Sequence, residues 1–168
     1  MHLEDIDKSR YQQRFRIVFA AIVAVLTLVS LGTSTLLIAL FGTPGESHFW
    51  LNVAGVVVGA AFVVLTLIKL RQHPYLREVV YVWDLKQRLN QIYRRQRRIE
   101  PFVEENDPDA IAIMFFFYRG SQQLYELDDN TITMDAIALN LRALERRIED
   151  LGITVTTDSY RREMLERF

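Results

Sequence analysis

Between residues 17 and 68 the chain carries no Lys, Arg or Asp and a single acid, Glu46, which falls near the middle. Two apolar blocks flank that acid. Residues 17–41 reach roughly 37 Å as a helix at 1.5 Å per residue, enough to cross a hydrocarbon core of about 30 Å with some tilt. Residues 49–68, about 20 in number, just span it. Gly42-Thr43-Pro44-Gly45-Glu46-Ser47-His48 separates the blocks with the helix breakers of a tight turn. The sequence thus predicts a transmembrane hairpin over residues 17–72, with spans at about 17–41 and 49–68 and a periplasmic turn at 42–48.

The first block is about twice the length of a signal-peptide core, no A-x-A site follows it, and a second span comes at once, so a retained anchor is expected. Lys8, Arg10, Arg14 and Arg16 precede the first span and Lys69, Arg71 and Arg77 follow the second, whereas the turn has no base. The positive-inside rule puts both termini in the cytoplasm. Tyr11, Phe15, Phe41, Phe49 and Trp50 stand where interfacial aromatic belts form. Residues 1–16 form a cytoplasmic N-terminal segment, read as a short interfacial helix or a frayed tail.

The polar residues of the spans are Thr27, Ser30, Thr33, Ser34, Thr35, Asn52 and Thr66, none ionisable, which argues against a pump or transporter built on one hairpin. Gly55 and Gly59 make a G-x-x-x-G face, continued by Ala60 and Ala61; Ala20 and Ala24 repeat the spacing in the first span. Small faces let helix backbones approach closely. Packing of the two spans on each other is preferred to homodimerisation through Gly55 and Gly59.

Residues 75–168 are expected to be a cytoplasmic helical domain, with helices at about 75–100, 108–127, 133–151 and 158–168. His73-Pro74 ends the second span. Val82, Leu85, Leu89, Ile92, Gln96 and Ile99 then follow heptad spacing, and Val79 and Trp83 widen the apolar stripe. At the far end stand Arg94, Arg95, Arg97 and Arg98, the candidate interaction surface. A nucleic-acid patch is set aside for want of interleaved aromatics and a basic balance, since 20 Lys and Arg face 21 Asp and Glu. Anionic-lipid contact needs the helix to lie flat, because an upright helix holds Arg94 about 37 Å from the membrane. The preferred reading pairs these arginines, within or between chains, with the acidic strip Glu100, Glu104, Glu105, Asp107 and Asp109, beyond which come Glu126, Asp128, Asp129 and Asp135.

Asp107 and Pro108 are a strong helix start. The helix they open carries Phe115, Phe116, Phe117 and Tyr118 within a run apolar on every side, the candidate core of the bundle or of an oligomer. Arg119-Gly120-Ser121 marks a bend or a close approach. Val79-Val80-Tyr81-Val82-Trp83, Lys86-Gln87, Asn90, Tyr93-Arg94, Tyr118-Arg119-Gly120-Ser121 and residues 124–133 resemble an uncharacterised family of small inner-membrane proteins of gammaproteobacteria, a domain of unknown function. The resemblance implies a bacterial inner membrane and carries no activity, ligand or catalytic residue.

Asp128-Asp129-Asn130 departs from a calcium loop, which needs Gly and Glu where Thr133 and Leu139 stand, so a capped turn is expected. Met134, Ile137, Leu141, Leu144, Ile148 and Leu151 form a second heptad seam that Gly152 stops. Residues 153–157 are expected to be extended, and a short helix follows with Tyr160, Met164 and Phe168 on one face.

With no cysteine, three histidines and no metalloprotease, nucleophile-elbow or nucleotide-binding motif, the sequence offers no catalytic residue, no metal site and no cofactor site. It predicts an all-α, multi-pass inner-membrane protein, a transmembrane hairpin followed by a helical bundle of three to four helices, acting as a scaffold or adaptor. Its expected partners are the lipid bilayer and either a second copy of itself, as a homo-oligomer, or another membrane protein. An accessory subunit of a channel or transporter is the alternative, and a membrane-tethered enzyme the third choice.

Overall fold

A computed structural model describes residues 2–130 and 134–168. Every regular element among them is helical: α1 (Lys8–Phe41), α2 (Phe49–Leu70), a 3-10 turn (Pro74–Leu76), α3 (Arg77–Tyr93), α4 (Gln96–Glu104), α5 (Pro108–Leu127), α6 (Met134–Asp150) and two more 3-10 turns (Thr157–Ser159 and Arg162–Arg167). The protein is all-α, as the periodicity predicts. The chain divides into two compact units, one of Met1–Tyr11 with Tyr81–Phe168 and one of Gln12–Val80.

In the unit of Gln12–Val80, α1 and α2 are an antiparallel pair, each long and apolar enough to cross a membrane. Their outer faces are apolar and open, with Leu28 71% and Leu40 65% exposed. The pair closes on small residues. A Cβ built on Gly55 would lie 2.8 Å from the Ser30 carbonyl oxygen and 2.9 Å from the Ser34 nitrogen, and one on Gly59 would lie 3.2 Å from the Ser30 nitrogen. Only hydrogen fits there. Gly55 and Gly59 therefore pack within the hairpin, and their counterparts are Ser30 and Ser34, both buried. Ala20 and Ala24 are exposed and take no part, a correction to the spacing argument. The Ser34 hydroxyl donates to Asn52 Oδ1 across the helix pair, so two polar side chains of the spans satisfy each other.

The other unit is built around α5, whose residues 110–118 are all buried. The 20-residue helix is capped at both ends. Asp107 accepts from the N–H groups of Asp109 and Ala110, each at 3.0 Å, and Pro108 follows where a missing N–H costs nothing. The turn before it is tight: Asn106, at φ 63°, closes α4, as the Asp107 N–H reaches the Phe102 carbonyl at 2.9 Å. From α3, Leu85 and Leu89 press on Gly120, where an added Cβ would meet Leu89 Cδ2 at 3.0 Å, so Gly120 is a close approach. α4 and α6 pack on other sides of α5. Gly152, at φ 64°, ends α6 with a bond from the Ile153 N–H to the Ile148 carbonyl.

Several expectations are revised. The helix expected over 75–100 is two, α3 and α4, with a turn at Arg94 and Arg95. Like charges at the i and i+4 positions Arg94 and Arg98 oppose a continuous helix, whereas Pro101 is accommodated inside α4. The apolar seam survives the break, since Ile92 and Ile99 are both fully buried. Trp83 does not widen that seam, being 63% exposed. The helix expected at 158–168 is a pair of 3-10 turns, yet Tyr160 and Phe168 are buried and Met164 packs on the core, on one face as the spacing implies. The expected start of the helix at residue 133 and the turn through Thr131 lie outside the described residues.

Residues 2–7 are not helical, and they are not loose. Leu3 and Ile6 pack against the core and Tyr11 belongs to it. The Glu4 N–H donates to the Tyr81 hydroxyl at 3.0 Å, that hydroxyl donates to Gln123 Oε1 at 2.9 Å, and Gln123 Nε2 donates back to the Glu4 carbonyl at 2.5 Å. Tyr11 donates to Asp128 at 3.1 Å, and Asp128 also meets Lys86 at 2.8 Å. Each bond of this half-buried ring adds about 0.5–1.5 kcal/mol to holding the segment in place.

Replacing Gly55 with isoleucine is expected to destabilise the hairpin by about 1–3 kcal/mol through overpacking. Gly32→Ile is its control, because nothing lies within 4 Å of a Cβ there. Thermal unfolding in detergent should separate the two, and equal melting temperatures would contradict the packing. Asp107→Ala should cost about 1 kcal/mol by uncapping α5, read by denaturant titration of the full chain. Burial raises the phenol pKa values of Tyr11, Tyr81, Tyr118 and Tyr160. A folded pKa above the unfolded value of about 10 gives stability that is complete below that pH and is lost as pH rises through the folded value. Melting temperature should therefore fall above about pH 10, with tyrosinate absorbance from these four rings appearing only on unfolding.

Candidate interaction surface

The four arginines of the sequence motif do not act as one group. Arg98, on α4, donates from Nη1 to the Phe168 carbonyl oxygen at 3.3 Å and so holds the tail against the core. Arg95 is half-buried at the turn, and Arg94 and Arg97 are exposed. Among the described residues, Arg94, Arg95 and Arg97 have no carboxylate within ion-pair distance. Tyr93, 66% exposed, stands next to them.

Of the acidic strip expected to neutralise them, Glu100, Asp107 and Asp109 are engaged elsewhere, while Glu104 and Glu105 have no base within ion-pair distance among the described residues. Arg167 reaches Asp107 at 2.7 Å and Asp109 at 3.7 Å, while its guanidinium also lies 5.6 Å from the ring centre of Phe102 and 5.4 Å from that of Phe168. Gln96 takes Glu100 at 2.7 Å, Lys8 pairs with Asp129, and Arg119 meets Glu145 at 2.6 Å. Burial works against the Asp107 carboxylate, but the Ala110 N–H and Arg167 outweigh it and hold its pKa below the usual range. Arg167 of the tail, not the arginine-rich helix end, thus partners Asp107 and Asp109. Sequence reasoning missed this because Arg167 lies some 60 residues from Asp107, beyond any local spacing rule.

Phe115, Phe116, Phe117 and Tyr118 lie inside this unit's own core, 9% exposed or less. Phe116 stacks on Tyr160 with ring centres 4.4 Å apart, and Arg119 lies over Phe115 at 5.6 Å. Their placement assigns them to the packing of one chain. A shallow crevice of about 310 Å³ beside α4 and α6 is lined by Glu100, Glu104, Tyr118, Asn140 and Arg147 among others. Its base, Arg147, donates to the carbonyls of Val103 at 3.0 Å and Glu104 at 3.2 Å and to Asn106 Oδ1 at 2.9 Å, closing the end of α4. Burial and the Glu100 charge raise the Tyr118 pKa, so that phenol holds its proton more tightly than a free tyrosine. No group of three or more His, Asp or Glu that could hold a metal ion is found among the described residues.

No curated protein and no solved structure matches the chain. A family model described as a protein of unknown function, DUF3087, matches residues 1–165, and the chain belongs to that family.

Proposed function

We propose that the protein is a multi-pass inner-membrane scaffold or adaptor that works by association and not by catalysis. In this reading α1 and α2 cross the bilayer, both termini are cytoplasmic, and the helical unit around α5 is presented to an acidic surface of a protein partner. The observation that carries the docking role is the set of arginines that meet no carboxylate among the described residues, Arg94, Arg95 and Arg97, on a unit where Asp107, Asp109 and Glu145 pair with other arginines. Desolvated charge pairs across an interface set specificity and association rate, whereas exposed pairs within a chain contribute about 0–1 kcal/mol. The second reading, an accessory subunit of a channel or transporter joined through the spans, has to use the outer apolar faces, because Gly55 and Gly59 are filled by α1. Homo-oligomers remain within either reading.

Crosslinking in native membranes tests the proposal. Arg94, Arg95 and Arg97 are changed together to glutamine, with Arg98 kept because it holds the tail. Capture of the partner should fall by roughly tenfold, and capture by the unaltered protein should weaken as salt is raised. Unchanged capture at every salt concentration would overturn the docking role.

A further inference from the structure

The hairpin is closed at one end and open at the other. Gly55 and Gly59 hold α1 and α2 together, but where the bulkier Val63, Leu67 and Leu70 of α2 face Ile17, Val18, Ala21, Ile22 and Val25 of α1 the helices part around a crevice of about 450 Å³. His73, Tyr75 and Leu76 line it beyond the end of α2. Their turn is fixed. Arg14 of α1 donates to the carbonyls of Pro74 at 3.4 Å and Tyr75 at 3.3 Å, pairs with Glu78, and lies 5.0 Å from the centre of the Tyr75 ring. The crevice is therefore built into the fold and is not a gap that loose side chains could fill.

Its lining is apolar except at that end. Thr66 turns its hydroxyl back to the Phe62 carbonyl, at 2.8 Å, and presents nothing polar. His73 is different. Its Nδ1 accepts the Tyr75 N–H at 3.2 Å, which places the proton of the neutral ring on Nε2 and leaves that atom a donor at the rim. Lys69, in the last turn of α2, is exposed and has no carboxylate partner among the described residues. An apolar slot that ends at a hydrogen-bond donor, with an ammonium four residues before that donor in the chain, has the polarity of an anionic phospholipid read from tail to head.

We infer that this crevice seats one acyl chain of an anionic phospholipid whose phosphate meets His73 Nε2 and Lys69. The inference rests on the reading of α1 and α2 as membrane spans. A seated chain gains the contacts that a parted helix pair otherwise lacks, and the headgroup selects for charge in the leaflet where basic residues gather. The lipid then acts as a wedge that fixes the spacing of α1 and α2 at their wide end.

The test uses the full chain in vesicles of phosphatidylethanolamine and phosphatidylglycerol containing a trace of phosphatidylglycerol with a photoreactive acyl chain. After irradiation, label should concentrate on residues 17–25 and 63–76. Ala21→Trp fills the slot and should lower that label by about tenfold, the loss of a seat for several methylenes, while Ala20→Trp, outside the crevice lining, leaves it unchanged. His73→Ala with Lys69→Gln should keep the label but abolish the advantage of phosphatidylglycerol over phosphatidylcholine as competitor. Label spread evenly over outward residues such as Leu36 and Val57, and indifferent to Ala21→Trp, means annular lipid only and overturns the inference. So does occupation by a second copy, seen as crosslinked dimer with the crevice residues unlabelled. Absence of label from both spans, with the protein in the aqueous phase, instead sinks the membrane reading on which the site rests.

Discussion

Most of the large apolar side chains exposed among the described residues lie between residues 15 and 70, on two helices that carry no charge over residues 17–41 and 49–68. That mismatch with an aqueous solvent governs everything else about the molecule. Each such side chain left in water forgoes roughly 1.5–3 kcal/mol. A handful would exceed the whole stability of a small domain, about 5–15 kcal/mol. In lipid the sign changes, and with it the rules of packing. Apolar burial no longer pulls helices together, so α1 and α2 must be joined by close backbone approach and by hydrogen bonding, which Gly55, Gly59 and the Ser34–Asn52 pair supply.

The unit around α5 obeys the opposite logic. There the apolar residues are gathered inward on one helix that every neighbour covers, and charge is kept at the margins. Its edges are sealed by segments distant in sequence: residues 3–11 through the Glu4, Tyr81 and Gln123 ring, and the tail through Tyr160, Phe168 and Arg167. The tail uses arginine in two ways at once, as an ion pair to Asp107 and as a cation over Phe102. This leaves Asp107 and Asp109 occupied by Arg167, while Arg94, Arg95 and Arg97 at the α3–α4 turn have no carboxylate partner among the described residues.

What could be read from the residues follows a physical line. Local periodicity and capping revealed α5, its Asp107 cap, the buried seam of α3 and the stop at Gly152, because those signals lie within a few residues of what they determine. The G-x-x-x-G at Gly55 predicted close packing, but not that serines would face it, since glycine tolerates any small partner. The break at Arg94 was hidden because no glycine or proline sits there, and the like charges at Arg94 and Arg98 are a weak signal. Trp83 looked like core because helical spacing cannot tell a buried flank from an exposed one. The roles of residues 3–11 and of Arg167 were illegible for a different reason, as contacts between chain ends leave no trace in local spacing.

The absence of cysteine makes the central claim directly measurable. Single cysteines replacing Glu46, in the turn between α1 and α2, or Arg146, on α6, report sidedness to a thiol reagent that cannot cross a membrane. In intact cells with a permeabilised outer envelope, the cysteine at position 46 should react and the one at position 146 should react only after lysis. Reaction at 146 before lysis, or recovery of the protein from the soluble fraction, would contradict the account.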